Sequence, residues 1–247
     1  MKAMIFAAGL GTRLKPFTDT MPKALAPVNG TPMLEHVITR LIKQGFDDVV
    51  VNVYHFGEKI IEFLETKNNF GANIHISDER DCLLDTGGGI LKARQWLDGN
   101  EPIIIHNADI LTDFDLHKMA KQHVDNKADA TLLVADRKTT RYFYINKSNQ
   151  LKGWTNISTG EVKPSGYIAE ESDKLLAFGG VHIVSPSIFD VLDKYSSEPK
   201  FSITPFYIDK CNELKIMGYT PAEKYQWHDI GKIDSIKVAE EQFISKL

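Results

Sequence analysis

Residues 4–25 read MIFAAGLGTRLKPFTDTMPKAL. The apolar run from Met4 to Ala8 breaks at Gly9 and Gly11, passes at once to Thr12 and Arg13, and reaches Lys23 through a stretch stiffened by Pro16 and Pro22. A strand that ends in a glycine turn marks the place where an open parallel α/β sheet binds ligands, beyond the carboxyl ends of its strands. Glycines without a Cβ let the backbone turn sharply and bring N–H groups close to phosphate oxygens. Arg13 adds a planar fork for bidentate phosphate contact and Lys23 a compact point charge, so two cations face one anion site. Two familiar phosphate cradles do not fit: the run lacks the Gly-Lys-Ser/Thr end of a P-loop and the third glycine of the dinucleotide fingerprint. The plain alternative is a tight turn trailed by two solvated cations, and the rest of the chain decides between them.

Outward from this stretch, short apolar runs alternate with helical patterns. A helix is predicted from about Pro32 to Gln44, then the strand DVVVNVY, a helix over GEKIIEFLETKNN and the strand ANIHIS. After DTGGG (85–89), Ile90, Leu91, Ala93, Arg94 and Leu97 are spaced for one buried helix face, followed by the strands PIIIHNAD and DATLLVAD. This alternation predicts a mostly parallel, doubly wound sheet. Val49 to Val53 and Ile103 to His106 are apolar on both faces and are expected at the sheet centre. From Arg141 to Ser185 short strands alternate with Asn, Gly and Ser turns, which predicts an antiparallel excursion on the substrate side. Helices near Pro186 to Tyr195 and Thr204 to Asn212, the strand LKIMGY and a last helix from about Ile233 to Ser245 complete the chain. The expected fold class is thus α/β, a Rossmann-like doubly wound mixed sheet, with residues 1–247 as one domain.

Composition narrows the function. The 247 residues are 43% hydrophobic and 25% charged, as in an ordinary globular domain with a full core. A formal charge of -4 without a dense Lys/Arg run argues against nucleic-acid binding. Cys82 and Cys211 have no metal spacing or paired motif and are expected to be buried or inert thiols. The eight histidines are scattered, and His228 is expected to be structural. With no signal h-region and no apolar run of membrane-spanning length, a cytoplasmic location without membrane contact is expected.

Further along, Asp109 follows a buried strand, so its carboxylate should emerge at the same sheet edge as the glycine loop. Asp109 and Asp229 are either turn or helix caps or a Mg²⁺ pair, since Mg²⁺ takes one or two carboxylates together with substrate phosphates. Asp113 and Asp115 suit the capping role better, just ahead of a helix. Tyr142, Phe143, Tyr144 and Trp154 alternate along predicted strands. About half of them should pack in the core, while Trp154 and Arg141 are candidates for sugar or phosphate contact.

The run G-L-G-T-R-L-x-P-x-T-x-x-x-P-K from Gly9 to Lys23 resembles the signature of the sugar-1-phosphate nucleotidyltransferases. DTGGGILKA (85–93), HNADIL (106–111) and WHDIG (227–231) follow in that family's order. The resemblance implies Mg²⁺-dependent transfer of a nucleotidyl group from a nucleoside triphosphate to a sugar 1-phosphate, releasing pyrophosphate. It places Ala8, Gly9, Gly11 and Thr12 at the nucleotide, Thr86 and Gly87 near its base, and Asn107 and Gly180 on the sugar side. A turn-forming Asn and a strand glycine remain the plain readings of the last two. The three glycines of DTGGG are expected to form a close-approach loop leading into a helix N-terminus. Arg13 would brace the triphosphate, Lys23 hold the reacting phosphates, and Asp109 and Asp229 hold Mg²⁺.

Residues 1–135 would then form a nucleotide-binding half and 136–247 a sugar-binding half with closing helices. The chain departs from the family in two places. Lys163-Pro164 stands where many relatives carry Glu-Lys-Pro, and Asn-Ala-Asp where Asn-Gly-Asp is usual. Within the family the chain is most similar to the branch acting on UTP and N-acetylmuramate 1-phosphate, with mannose-1-phosphate guanylyl transfer the alternative. A non-catalytic nucleotide-sugar sensor is a reading of another class, opposed by the intact Arg13, Lys23, Asp109 and Asp229. A dinucleotide-dependent oxidoreductase is disfavoured by the broken glycine fingerprint. A monomer or homodimer is expected.

Overall fold

The computed structural model describes residues 1–242. β1 (Lys2–Phe6) buries Ala3, Met4 and Ile5, and the loop after it coils through three short 3-10 turns, Thr12–Leu14, Phe17–Asp19 and Lys23–Leu25. A small hairpin of β2 (Pro27–Val28) and β3 (Thr31–Pro32) leads into α1 (Met33–Lys43). Then come β4 (Asp48–Val53), α2 (Gly57–Thr66), β5 (Asn73–Asp78), α3 (Asp85–Lys92) and α4 (Arg94–Leu97). β6 (Ile103–Asn107), the short β7 (Ile110–Thr112), α5 (Leu116–Asp125) and β8 (Ala130–Ala135) follow. The antiparallel segment consists of β9 (Arg141–Ile145), β10 (Leu151–Asn156), β11 (Glu161–Lys163) and the long β12 (Lys174–Val184). α6 (Ile188–Leu192), α7 (Ile203–Lys210), β13 (Ile216–Tyr219), β14 (Trp227–Asp229) and α8 (Ile233–Gln242) close the described chain.

The main sheet runs β11-β10-β9-β12-β6-β1-β4-β5, with β8 attached to β12 and β13 to β8. β6, β1, β4 and β5 are mutually parallel, and β12 turns the pairing antiparallel. Alternate residues of the parallel strands feed two cores. Ala3, Ile5, Val49, Val51 and Ile104 pack with α1, α2 and α5 on one face, whereas Met4, Val50, Ile103 and Ile105 pack with α3, α4, α6 and α7 on the other. Helices on both faces explain why these strands are apolar throughout. β6 lies centrally as expected, but β4 sits one strand in from the β5 edge.

β12 serves both parts of the sheet. Its first residues pair with β9 and its last with β6 and β8, and the register breaks between Phe178 and His182. Gly180, at φ +74°, makes that break possible, because the place of a Cβ is taken by the Ile110 and Asn107 side chains.

The predicted helix over Pro186 to Tyr195 is shorter in the structure, and the end of the last predicted helix, Ser245, lies outside the described residues. Asp115 caps α5 by accepting from the amides of His117 and Lys118 at 2.9 and 3.3 Å. Cys211 is buried, but Cys82 is exposed, because the turn that carries it lies at the surface. Among the described residues no helix is long and apolar enough to cross a membrane.

Candidate active site

The loop after β1 is held from below by two polar side chains at the carboxyl ends of neighbouring strands. Asn52, at the end of β4, accepts the Ala7 and Ala8 amides on its Oδ1 at 2.8 and 3.3 Å, and donates from Nδ2 to Glu79 Oε1 at 2.8 Å. Glu79 Oε2 accepts the Leu84 amide at 3.0 Å, tying this loop to the entry of α3. Glu79 is buried, and desolvation raises its carboxyl above the usual range against the pull of these two donors. The signal in the sequence was a polar residue at the end of each apolar strand, yet neither Asn52 nor Glu79 was singled out from it.

Above this floor opens a cleft of about 510 Å³ lined by Ala8, Gly9, Gly11, Thr12, Arg13, Lys23, Thr86, Asn107 and Asp109, all drawn from the predicted site. Gly11, at φ +65°, needs to be glycine. An added Cβ would lie 2.8 Å from the Thr18 methyl and from Lys23 Cβ, so the missing side chain lets Lys23 fold against the loop. Gly9 faces open space instead. Lys200 and Asp85, which the sequence did not mark, also reach the cleft.

The carboxylates arrive from the far side. Asp109, just past β6, forms an ion pair with Lys23, both side chains being partly exposed. Its carbonyl accepts the Ile230 amide at 2.9 Å, and β7 and β14 form a ribbon in which Ile110 faces Asp229. That ribbon carries Asp229 to Asp109 across more than a hundred residues of sequence. Burial, and next the charge of Asp109, raise the Asp229 carboxyl above its ordinary range, while Lys23, Arg13 and Arg137 pull it down. Gly231 leaves room for Arg13, whose Nη2 lies 2.9 Å from where a Cβ would be, with Asp229 Oδ1 at 3.0 Å from the same point.

Two carboxylates whose charges oppose each other are poor neighbours and suited to a divalent cation. Among the described residues there is no group of three or more His, Cys, Asp or Glu that could hold a metal. A pair is nevertheless the donor set Mg²⁺ uses when substrate phosphates and waters complete its shell.

DTGGG departs from its expected form. Its glycines lie inside α3 instead of in a loop, and the Gly87 and Gly88 amides donate to the Phe201 carbonyl at 2.8 and 3.2 Å. Gly87 does not line the cleft; the Phe201 ring covers it, and the Pro199 carbonyl occupies the space a Cβ on Gly88 would need. The glycines therefore let α3 press against the irregular segment before α7. Thr86 stays at the cleft, where its Oγ1 accepts the Ile203 amide at 2.9 Å and lies 3.4 Å from Ser202 Oγ.

Arg141 and Trp154 line a second cavity of about 490 Å³, whose lining residue Ser202 lies beside Thr86 of the first. Asn107 sits in the cleft, with Gly180 packed beneath it. Of the buried histidines, His106 and His123 are lowered to about 4 and His182 to about 3, in each case chiefly by desolvation. They stay neutral in the core and take no part in the cleft. Asp113 accepts the Gln226 amide at 2.7 Å and so helps seat the strand that bears Asp229.

An α/β sheet with a glycine loop, two cations and two carboxylates at one edge defines a nucleotide-handling class of protein. The nucleotidyl transferase family matches residues 2–246, and the chain belongs to that family. It is 30% identical to the N-acetylmuramate alpha-1-phosphate uridylyltransferase of Neisseria meningitidis serogroup B, over 97% of each chain. It is also 30% identical to the D-glycero-alpha-D-manno-heptose 1-phosphate guanylyltransferase of Aneurinibacillus thermoaerophilus, over 98% of each. Against the UTP--glucose-1-phosphate uridylyltransferase of Synechocystis sp. the identity is 29%, over 94% of this chain but 61% of that longer relative. A UDP-glucose pyrophosphorylase crystallised with UDP-glucose shares the fold, with a TM-score of 0.76 at 18% identity and full coverage of both chains.

Proposed function

We propose that this chain transfers a nucleotidyl group from a nucleoside triphosphate to a sugar 1-phosphate, with UTP and N-acetylmuramate 1-phosphate the favoured pair. A phosphate oxygen of the sugar 1-phosphate attacks the α-phosphorus; the bond to the bridging oxygen breaks, and pyrophosphate leaves with the electron pair. This chemistry needs positioning and charge stabilisation more than proton transfer, which suits a site built from cations, carboxylates and backbone donors.

The observation that carries the reading is the convergence of Arg13, Lys23, Asp109 and Asp229 at the glycine loop. In the proposed complex the loop amides and Arg13 brace the triphosphate. Lys23 leaves Asp109 for the reacting phosphates and offsets the charge that builds up between nucleophile and leaving group. Asn52 and Glu79 hold the loop in register beneath. Mg²⁺ would be held by Asp109 and Asp229 and would supply charge neutralisation at the phosphates.

Pyrophosphate release over a matrix of UTP, GTP, CTP and dTTP against several sugar 1-phosphates, with and without Mg²⁺, tests the proposal. Release confined to UTP with N-acetylmuramate 1-phosphate is expected. Release with GTP and mannose 1-phosphate would move the assignment to the guanylyl branch. Release that survives EDTA would overturn the metal role, and silence throughout would favour a sensor.

A further inference from the structure

The glycine loop and the ribbon that carries Asp229 meet at Gly231, which is buried and lines the cleft. A Cβ at this position would lie 2.9 Å from Arg13 Nη2, 3.2 Å from Arg13 Cζ and 3.0 Å from Asp229 Oδ1. At Gly88 the obstacle to a side chain is a backbone carbonyl; at Gly231 it is the charged ends of two residues of the site. The φ of Gly231 lies outside the left-handed region, so the backbone itself does not ask for glycine. What asks for it is the space beside Arg13 and Asp229.

Both backbones at this contact are anchored. Arg13 belongs to the turn Thr12–Leu14, which is closed by the Leu14 amide donating to the Gly11 carbonyl at 2.8 Å and fastened by the buried Leu14 side chain. On the other side the Ile230 amide donates to the Asp109 carbonyl at 2.9 Å, Ile230 is fully buried, and Asp229 faces Ile110 in the β7-β14 ribbon. The soft element is therefore the Arg13 side chain, which is long and exposed. Asp229 feels its positive charge across the space above Gly231.

Resting on the transfer reading above, we infer that Gly231 is a positioning residue: its open side is a slot that seats the Arg13 guanidinium between the triphosphate and Asp229. The cation of the loop and the carboxylate of the distant ribbon are then set as one unit. A methyl group in the slot leaves the fold in place and turns the guanidinium away, because the end of a flexible side chain yields more easily than packed backbone. The outer phosphates of the nucleotide lose their planar, two-donor partner, while the base, ribose and α-phosphate keep their contacts.

The test is calorimetric titration of UTP and UMP, and of GTP and GMP, into the wild-type protein, Gly231→Ala, Arg13→Gln and the double variant. Gly231→Ala is expected to weaken triphosphate binding about tenfold or more and monophosphate binding by less than about threefold, with the melting temperature unchanged. In the Arg13→Gln background the same methyl should alter triphosphate binding by less than about threefold, since the group it displaces is gone. Full triphosphate affinity in Gly231→Ala overturns the inference. So does an equal loss for triphosphate and monophosphate, or a loss or a lowered melting temperature that persists without Arg13, because each makes Gly231 a structural residue only. Triphosphate binding by the wild type with no pyrophosphate released from any sugar 1-phosphate overturns the transfer reading alone, and no triphosphate binding at all overturns both.

Discussion

Lys23 and Asp109 form an ion pair at the mouth of the glycine loop, so Lys23 must leave this partner to reach a substrate phosphate. Lys23→Ala is expected to lower kcat by about 10²- to 10³-fold or more, as for loss of one donor to a developing charge. Its melting temperature should stay within a few degrees, since a partly exposed ion pair contributes little to stability; retained turnover in a pyrophosphate assay would refute the role given to Lys23. Glu79→Ala acts differently, because Glu79 touches no cleft cation and serves the loop through Asn52 and Leu84. Removing it leaves the buried Asn52 amide and the part-buried Leu84 N–H unpaired, at a cost of about 1–3 kcal/mol. The expected signature is a lower melting temperature together with a raised KM for the nucleotide triphosphate. Asp109 was legible because it follows a buried strand, and Arg13 and Lys23 because they trail a glycine turn on a proline-stiffened loop. Asn52 and Glu79 were not, since a polar residue ending an apolar strand looks the same whether it binds a ligand, a loop or water.

At the scale of elements, the decisive contacts lie between segments far apart in sequence. α3 was expected to begin after its glycines, because glycine is among the poorest helix formers. Tertiary packing overrides that preference: the Pro199 to Phe201 segment runs so close to Gly87 and Gly88 that no side chain fits between. Gly88→Ala should therefore destabilise the protein by about 1–3 kcal/mol despite alanine's better helix propensity, as forced overpacking does. A thermal melt showing alanine neutral or stabilising would mean that the seam can yield. The ribbon of β7 and β14 went unforeseen for a related reason. Strands of three residues carry too short a pattern to be read, although this pair sets where Asp229 stands.

Across the whole molecule, the buried histidines link stability to pH. His106, His123 and His182 bind protons more weakly in the fold than the ordinary value of 6.5, with values of about 4, 4 and 3. The unfolded chain therefore takes up protons first. Stability from these groups is complete above about pH 6.5 and is lost as the pH falls toward 4, at up to about 1.4 kcal/mol per pH unit for each histidine. His182, stacked on Phe178 at 5.6 Å with neither ring nitrogen hydrogen-bonded, is the one to remove. His182→Phe should flatten the slope of unfolding free energy against pH by about one proton between pH 6 and 4. Denaturant melts at several pH values measure this, and an unchanged slope would show that His182 is already protonated in the fold.

The sequence by itself determined what is local: two-faced apolar strands, a glycine turn at a strand end, and the cations and Asp109 that side-chain pattern and backbone freedom place beside it. Tertiary structure alone decided the rest. It brought Asp229 to Asp109 through a hydrogen-bonded ribbon, turned DTGGG into a packed helix, and set Arg141 and Trp154 in a cavity separate from the cleft. The physical reason is that a strand or turn is encoded by its own period and dihedrals, whereas a meeting between distant segments depends on which surfaces the whole core brings together.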